Sequence, residues 1–369
     1  MLDYTKTVVG LDVHKESIVA AVLPPDAERA ALTTKFENTP AALKTFVERA
    51  RSRGPLTFVY EAGPCGYQVH RDLTAQGQDC VVIAPGLIPK RPGDKVKTDR
   101  RDAEKLAQLH RAGQLTAVRV PTRAEEADRD LLRAREDVLA ERLRARHRLS
   151  KFLLRQGLVW RETKAWTLKH RAWLRSLRWE LESHARAFEA YLRGLEEVEA
   201  RLEALDRQVL ALADNAAWRA VVANLRCLKG VDTLSALTMA VETGDFRRFG
   251  SAVEFMGYTG LVSREHSSGE SVRRYRITKV GNAHLRRVLV EAAWAYAQRD
   301  YTGPTLTKRR EGGSPQAVAT ARRAQERLCG KFRKMAGKGK PRQKAIVAVA
   351  RELAGFVWDI GRRSQEVNG

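Results

Sequence analysis

Asp99 and Asp102 stand three residues apart within Val96–Leu106, and Ala103, Leu106, Ala107 and Leu109 continue with helical spacing. Positions i and i+3 are neighbours on one helix face, so both carboxylates are expected to project together from a first turn. Two like charges held side by side are unfavourable unless something positive lies between them. A divalent cation meets that need, and hard oxygen ligands suit Mg2+ or Mn2+. The structural alternative is an acidic first turn favoured by the helix dipole. Asp12 sits inside the apolar run Thr7–His14, where an unpaired carboxylate is costly. Glu61 closes the apolar run Leu56–Tyr60, and ligands tend to bind at the carboxyl ends of such strands. An edge-strand Asp, or a strand-end Glu bonded to a loop, would explain either acid alone. As a set, Asp12, Glu61, Asp99 and Asp102 could converge on two metal ions, an arrangement that polarises a scissile phosphate and activates the attacking oxygen.

A second chemistry-bearing stretch is Phe255–Arg274. It reads as a serine-rich, glycine-containing loop flanked by Arg264, Arg273 and Arg274, which suits a phosphate. A polar surface loop is the plainer reading. Composition does not choose among Ser263, Ser267, Ser268 and Ser271.

The elements that must position these groups fall in three parts. In residues 1 to about 122, strands are expected at Thr7–His14, Ser17–Leu23, 32–38, Leu56–Tyr60 and Cys80–Ala84, with Lys15-Glu16 as a tight connection. Helices are expected at Pro40–Arg53, at Gly66–Gln76 and from Asp99 onward. That order predicts an α/β domain, a mixed sheet with helices on its faces. Residues 123–228 are rich in Leu, Ala, Arg and Glu and predict a helix over 124–156. A coiled-coil-like seam follows, in which Leu181, Ala185, Phe188, Leu192, Leu195, Val198, Leu202, Leu205, Val209 and Leu212 recur in steps of three and four. A helical hairpin used for dimerisation, with basic faces on nucleic acid, fits this part better than a solvated spacer. Trp160, Trp166, Trp173 and Trp179 between the helices are expected to pack at a junction rather than stack on bases. Residues 229–369 form a mainly helical third part. Leu228–Leu237 resembles a helix-hairpin-helix turn, but Asp232 replaces the usual second glycine and would repel phosphate. A packing turn capped by Asp232 or Thr233 is expected instead.

The net charge is +23 and the isoelectric point about 10.3, so a polyanion, nucleic acid above all, is the expected partner. The charge is uneven. Residues 1–120 hold 18 Lys/Arg against 14 Asp/Glu, whereas residues 305–344 hold 13 against 2. The latter segment reads as a nucleic-acid tail or clamp, with Arg322, Arg323, Arg327 and Lys331 as its candidate contacts. Four scattered cysteines without a C-x-x-C pair give no zinc site and no disulfide framework. No secretion signal and no membrane-length apolar run are seen, so a cytoplasmic, nucleoid-associated protein is expected.

Gly10–Lys15, Tyr60–Gly63 and Lys97–Ala103, in that order and spacing, resemble the motifs of the DEDD insertion-sequence transposases. Gly260-Leu261, Ser268-Gly269, Thr278–Asn282 and the helix from His284 to Arg299 extend the likeness over nearly the whole chain. The resemblance implies a RuvC-like (ribonuclease H type) N-terminal domain whose metal-binding acids are Asp12, Glu61, Asp99 and Asp102. It implies that Ser268 is the nucleophile, forming a phosphoseryl–DNA intermediate that keeps the bond energy for rejoining. It also implies a homo-oligomer, dimer or tetramer, whose subunits share a composite site. A structured guide (bridge) RNA would specify element-end and target DNA.

The expected protein is therefore the DNA transposase of a bacterial insertion sequence, using Mg2+ or Mn2+. Its expected domains are 1–122, 123–228 and 229–369: a RuvC-like domain, a coiled-coil helical spacer and a mainly helical domain bearing Ser268. Two alternatives stand beside it. A Holliday-junction resolvase or nuclease using water leaves the serine stretch without a role. A non-catalytic basic nucleic-acid-binding protein leaves Asp12 unexplained.

Overall fold

The computed structural model describes residues 5–89, 98–268 and 271–366. The side chains of 265–268 and 271–274 lie outside that description, as do Val96, Lys97 and Gly269 of the stretches above. The chain forms two compact units, Met1–Pro121 and Thr122–Gly369.

The first unit holds β1 (Thr7–Val13), β2 (Ser17–Leu23), β3 (Leu32–Glu37), α1 (Pro40–Ala50), β4 (Leu56–Glu61), α2 (Gln68–Ala75), β5 (Asp79–Ile83) and α3 (Asp99–Arg111). The strands make one mixed sheet in the order β3-β2-β1-β4-β5. β1 and β2 are antiparallel, as are β2 and β3, while β4 runs parallel to both β1 and β5. β1 and β2 are almost continuously apolar because they are buried on both faces. Their short turn closes with the His14 N–H donating to the Ser17 carbonyl at 2.9 Å. Parallel pairing of β1 with β4 needs a long crossover, and α1 lies within it. Thr39 caps α1, its hydroxyl accepting from the Ala42 N–H at 3.2 Å. On one face, Val9, Leu11, Phe58 and Tyr60 pack with Phe46 of α1 and Leu73 of α2. On the other, Val8, Leu23, Val59 and Ile83 pack with Leu106 and Ala107 of α3.

Gly10 sets how closely α3 can approach. A Cβ at this position would fall 2.0 Å from the Ala103 carbonyl oxygen and 2.9 Å from the Ala107 nitrogen. Ala103 and Ala107 are themselves fully buried, so small residues on both sides let the helix lie directly on β1. Side chains alternate along a strand, which puts Asp12 on the same face as Gly10, beneath α3.

The second unit begins with α4 (Arg123–Arg155), α5 (Leu168–Ser176) and α6 (Glu182–Leu212). Thr122 and Glu125 form a capping box that starts α4. α4 and α6 pair antiparallel, bridged by Arg135–Asp206 at 2.5 Å, Arg201–Glu141 at 3.3 Å and Arg146–Glu199 at 2.6 Å. The seam expected along α6 is narrower than ten positions. Phe188, Leu195, Leu202 and Val209, each seven residues apart, are its buried side chains, while Leu181 is 60% exposed. Packing against a helix covers only a narrow stripe. The tryptophans pack at the junction as expected: Trp160, Trp166 and Trp173 surround the buried His170, and Trp179 packs on Phe152 and Phe188.

The rest of this unit is α7 (Arg219–Leu225), α8 (Thr233–Thr243), α9 (Ala252–Tyr258), the hairpin β6 (Ser263–Ser268) and β7 (Ser271–Ile277), α10 (Ala283–Ala293), α11 (Pro304–Glu311), α12 (Pro315–Gly337) and α13 (Arg342–Glu366). Asp232 caps α8, accepting from the Ser235 N–H at 2.7 Å, so the glycine-deviant turn is a packing turn. Two expectations need correction. The serine stretch is a helix followed by a β-hairpin, not an irregular loop, and the alternation of Val272 with polar neighbours is the strand signal beneath its polar composition. Residues 305–344 are not a tail: they form α11, α12 and the start of α13. Ala317, Ala321, Ala324, Leu328 and Phe332 give α12 one buried face, which the interleaved cations obscure. Among the described residues no helix is long and apolar enough to cross a membrane.

Candidate metal centre and the serine hairpin

Asp12 lies one residue from the carboxyl end of β1, half-buried at 23% exposure. The β1–β2 turn brings His14 back beside it, with the imidazole Nε2 3.2 Å from Asp12 Oδ2. Asp99 opens α3, where Thr98 caps the helix by accepting from the Arg101 N–H at 3.4 Å. That start puts Asp99 Oδ1 3.6 Å from the same imidazole nitrogen. Donor atoms of Asp12, His14 and Asp99 all lie within 4.8 Å of one another, a group able to hold a divalent cation.

Burial pushes the Asp12 carboxyl above the ordinary carboxylate value. The charge and hydrogen bond of His14 pull it back, while the negative charges of Asp99 and Asp102 push it further up. Asp102 thus acts on Asp12 electrostatically, as the i, i+3 spacing anticipates, though it stands outside the 4.8 Å group. Glu61 also stands outside it. It ends β4, exposed, one step beyond the Leu11↔Tyr60 pair that sets β1 against β4. The sheet therefore brings Glu61 to the same strand ends as Asp12 without joining its carboxylate to the cluster. His14 is the donor that sequence reasoning missed. Its signal is the i, i+2 spacing from Asp12, which returns a side chain to the same face of an extended chain.

In the hairpin, Ser268 is the last residue of β6 and pairs with Ser271 across the turn. Arg273 and Arg274 pair with His266 and Glu265 through the backbone. The side chains of Ser268, Arg273 and Arg274 lie outside the described residues. Arg264 is exposed and donates to the Thr278 carbonyl at 3.3 Å. Both feet of the hairpin are held firmly: Arg286 donates to the Thr259 carbonyl at 3.0 Å, and the Asn282 N–H donates to the Tyr258 carbonyl at 3.0 Å. Gly281, at φ 99°, passes so close that a Cβ would sit 2.1 Å from that Tyr258 oxygen.

The basic residues on α12 divide. Arg327 and Lys331 both hold Glu352 of α13 and are structural partners first. Arg322 and Arg323 are exposed, Arg323 donating to the Thr320 hydroxyl at 3.1 Å. Further on, Lys334, Lys338, Lys340 and Lys344 crowd the α12–α13 corner, exposed and without an acidic partner among the described residues.

Two family models and several relatives match this chain. Residues 9–156 match a model of a DEDD transposase domain, and residues 222–308 match the model described as the transposase IS116/IS110/IS902 family. A protein of Sinorhizobium fredii named provisionally as the transposase y4qE is 37% identical over 99% of this chain and 90% of its own length. The transposase for insertion sequence element IS1533 of Leptospira borgpetersenii is 34% identical over 91% of this chain and 98% of its own.

Proposed function

Because the chain belongs to the IS110/IS116 family of DEDD insertion-sequence transposases and is a DNA transposase, we propose that it cuts and rejoins DNA through a Ser268 phosphoester, assisted by acids that hold Mg2+ or Mn2+. The observation that carries the metal part is the convergence of Asp12 and Asp99 beneath α3, with Asp102 close enough to act on Asp12. Their donor set fits a divalent cation, since two like charges beside a half-buried carboxylate are relieved by one positive ion. Asp12, Asp99, Asp102 and Glu61 are the residues that would hold it. When bound, the ion supplies charge neutralisation at a phosphate. The sheet order and pairing directions support a ribonuclease H-like, RuvC-like reading of the first unit.

In this reading Ser268 Oγ bonds to phosphorus as the phosphorus bond to one strand end breaks. That end leaves as a hydroxyl, taking up the proton the serine gives up. A rejoining strand end reverses the step. The hairpin's firm feet support it as a platform for an attacking residue. Arg264, Arg273 and Arg274 are its proposed phosphate partners. We assign the acids to residues 1–122, a helical spacer to 123–228 and the serine domain to 229–369. The net charge of +23 supports binding of element-end and target DNA together with a guide (bridge) RNA. A homo-oligomer, dimer or tetramer, at work on the bacterial nucleoid completes the reading.

The test incubates the full chain with Mg2+, element-end DNA and the element's non-coding RNA. A covalent protein–DNA band is expected. Ser268→Ala is expected to lose that band while still binding DNA, whereas Ser263→Ala, Ser267→Ala and Ser271→Ala keep it. An adduct formed by Ser268→Ala protein would overturn the serine mechanism, and free cut ends without any adduct would favour a water-using nuclease.

A further inference from the structure

Magnesium chemistry needs only oxygen donors, yet the cluster on β1 contains a nitrogen. The His14 imidazole is placed from two sides. Its backbone is pinned in the β1–β2 turn, with its N–H donating to the Ser17 carbonyl at 2.9 Å and its carbonyl accepting from Asn38 Nδ2 at 2.8 Å. Its Nε2 then faces two carboxylates that arrive on different elements, Asp12 on β1 at 3.2 Å and Asp99 on α3 at 3.6 Å. Neighbouring donors on an octahedral ion with bonds of about 2.1 Å are separated by about 3 Å. A histidine serving only to orient Asp12 would need one of these contacts; the approach of Asp99 gives the nitrogen a second anionic neighbour and makes a three-donor set. The side chain is half exposed, open to an ion arriving from solvent.

We propose that His14 is a nitrogen ligand of the ion held by Asp12 and Asp99, giving the site a preference for Mn2+ over Mg2+. The inference rests on the metal reading above and extends it to a residue and a selectivity. Magnesium takes oxygen ligands and holds its waters tightly. First-row transition ions accept imidazole more readily, and Mn2+ combines that with a tolerance for carboxylates.

The experiment uses the full-length chain and Mn2+ alone. Bound Mn2+ is counted by electron paramagnetic resonance, Mg2+ is titrated in as competitor, and electron spin echo modulation reports any directly bonded imidazole nitrogen. The wild-type protein is expected to show nitrogen modulation that His14→Ala and His14→Asn both lack. Mn2+ affinity is expected to fall about ten-fold or more in both variants, with Mg2+ affinity changing far less, so that the preference shrinks. The asparagine variant keeps a hydrogen-bonding group near Asp12, which separates coordination from mere orientation of the carboxylate. Mn2+ bound without nitrogen modulation, or modulation that persists in both variants, would overturn the role of His14 and leave the metal reading intact. If the wild-type chain bound no more Mn2+ than Asp12→Asn, the metal reading would fall and the inference with it.

Discussion

Asp12 in the first unit and Glu242 in the second are both acids set in apolar segments, and their surroundings are opposite. Glu242 lies on α8 at 1% exposure. Arg133 of α4 grips it with two hydrogen bonds, Nε to Oε1 at 2.9 Å and Nη2 to Oε2 at 3.0 Å. Asn282, the cap of α10, donates to Oε2 at 2.6 Å, and Arg129 stands 4.0 Å away. Burial alone would raise the Glu242 pKa, but these bonds and charges outweigh it and hold the carboxyl below its ordinary value. Asp12 is less buried, yet its pKa moves up, because burial is opposed only by His14 and is reinforced by the two further acids Asp99 and Asp102. A buried carboxylate whose counter-charges are built into the fold is a structural joint. A cluster of acids that lean on one another is relieved by a cation held between them.

Three measurements bear on that contrast. The largest effect on stability is expected at the joint. Glu242→Ala removes the buried acceptor of Arg133, whose own side chain is 41% exposed, and of Asn282, and should cost about 1–3 kcal/mol of stability, read by denaturant unfolding, with metal binding by the first unit unchanged. Its pH dependence has a definite sign. The folded pKa is lowered, so the stabilisation is present above the ordinary carboxylate value and is lost as pH falls through the folded one. The acid limb of the unfolding curve should therefore flatten in Glu242→Gln. An acid limb identical to wild type would show that the joint carries no linkage.

The metal cluster should respond in the opposite manner. Asp12→Asn removes one of several like charges, so stability in metal-free buffer is expected to hold or rise. The increment gained on adding Mg2+ or Mn2+ should vanish, and strand cleavage should fall roughly 10²–10³-fold, as when one electrostatic contact to a transition state is removed. A variant that lost stability without metal yet kept the metal increment would make Asp12 a structural acid like Glu242.

The smallest effect concerns cations, where the same distinction holds with signs reversed. Arg327 and Lys331 are already answered by Glu352, whereas the lysines of the α12–α13 corner have no acidic partner among the described residues. Each phosphate contact contributes about 0.9 to the slope of log affinity against log salt on duplex DNA. Neutralising Lys338, Lys340 and Lys344 should lower that slope more than neutralising Arg327 and Lys331. The reverse order would place the nucleic acid along α12 itself.

Much was legible in residue order alone, and each part for a local reason. Two-sided burial wrote β1 and β2 as apolar runs, the crossover after β3 could be read from the spacing of Leu43, Phe46 and Val47, and the i, i+3 step of Asp99 and Asp102 told that both leave one turn of α3. Helix period and strand alternation are properties of neighbouring residues, so sequence carries them. The strand alternation in 263–277 and the buried face of α12 were also present, hidden under serine and arginine. What depended on distant segments was not legible. An acid in an apolar run marked Asp12 as a site; the same rule applied to Glu242 would have marked a second one wrongly, because Arg133 lies 109 residues away. His14 read as the last residue of a strand until α3, allowed close by Gly10, brought Asp99 to its ring. The sequence by itself determined the elements and the acids they carry. Only the tertiary structure decided that Glu242 is answered by fixed cations while Asp12 meets Asp99 and His14, since charge compensation acts through space between residues that the chain keeps far apart.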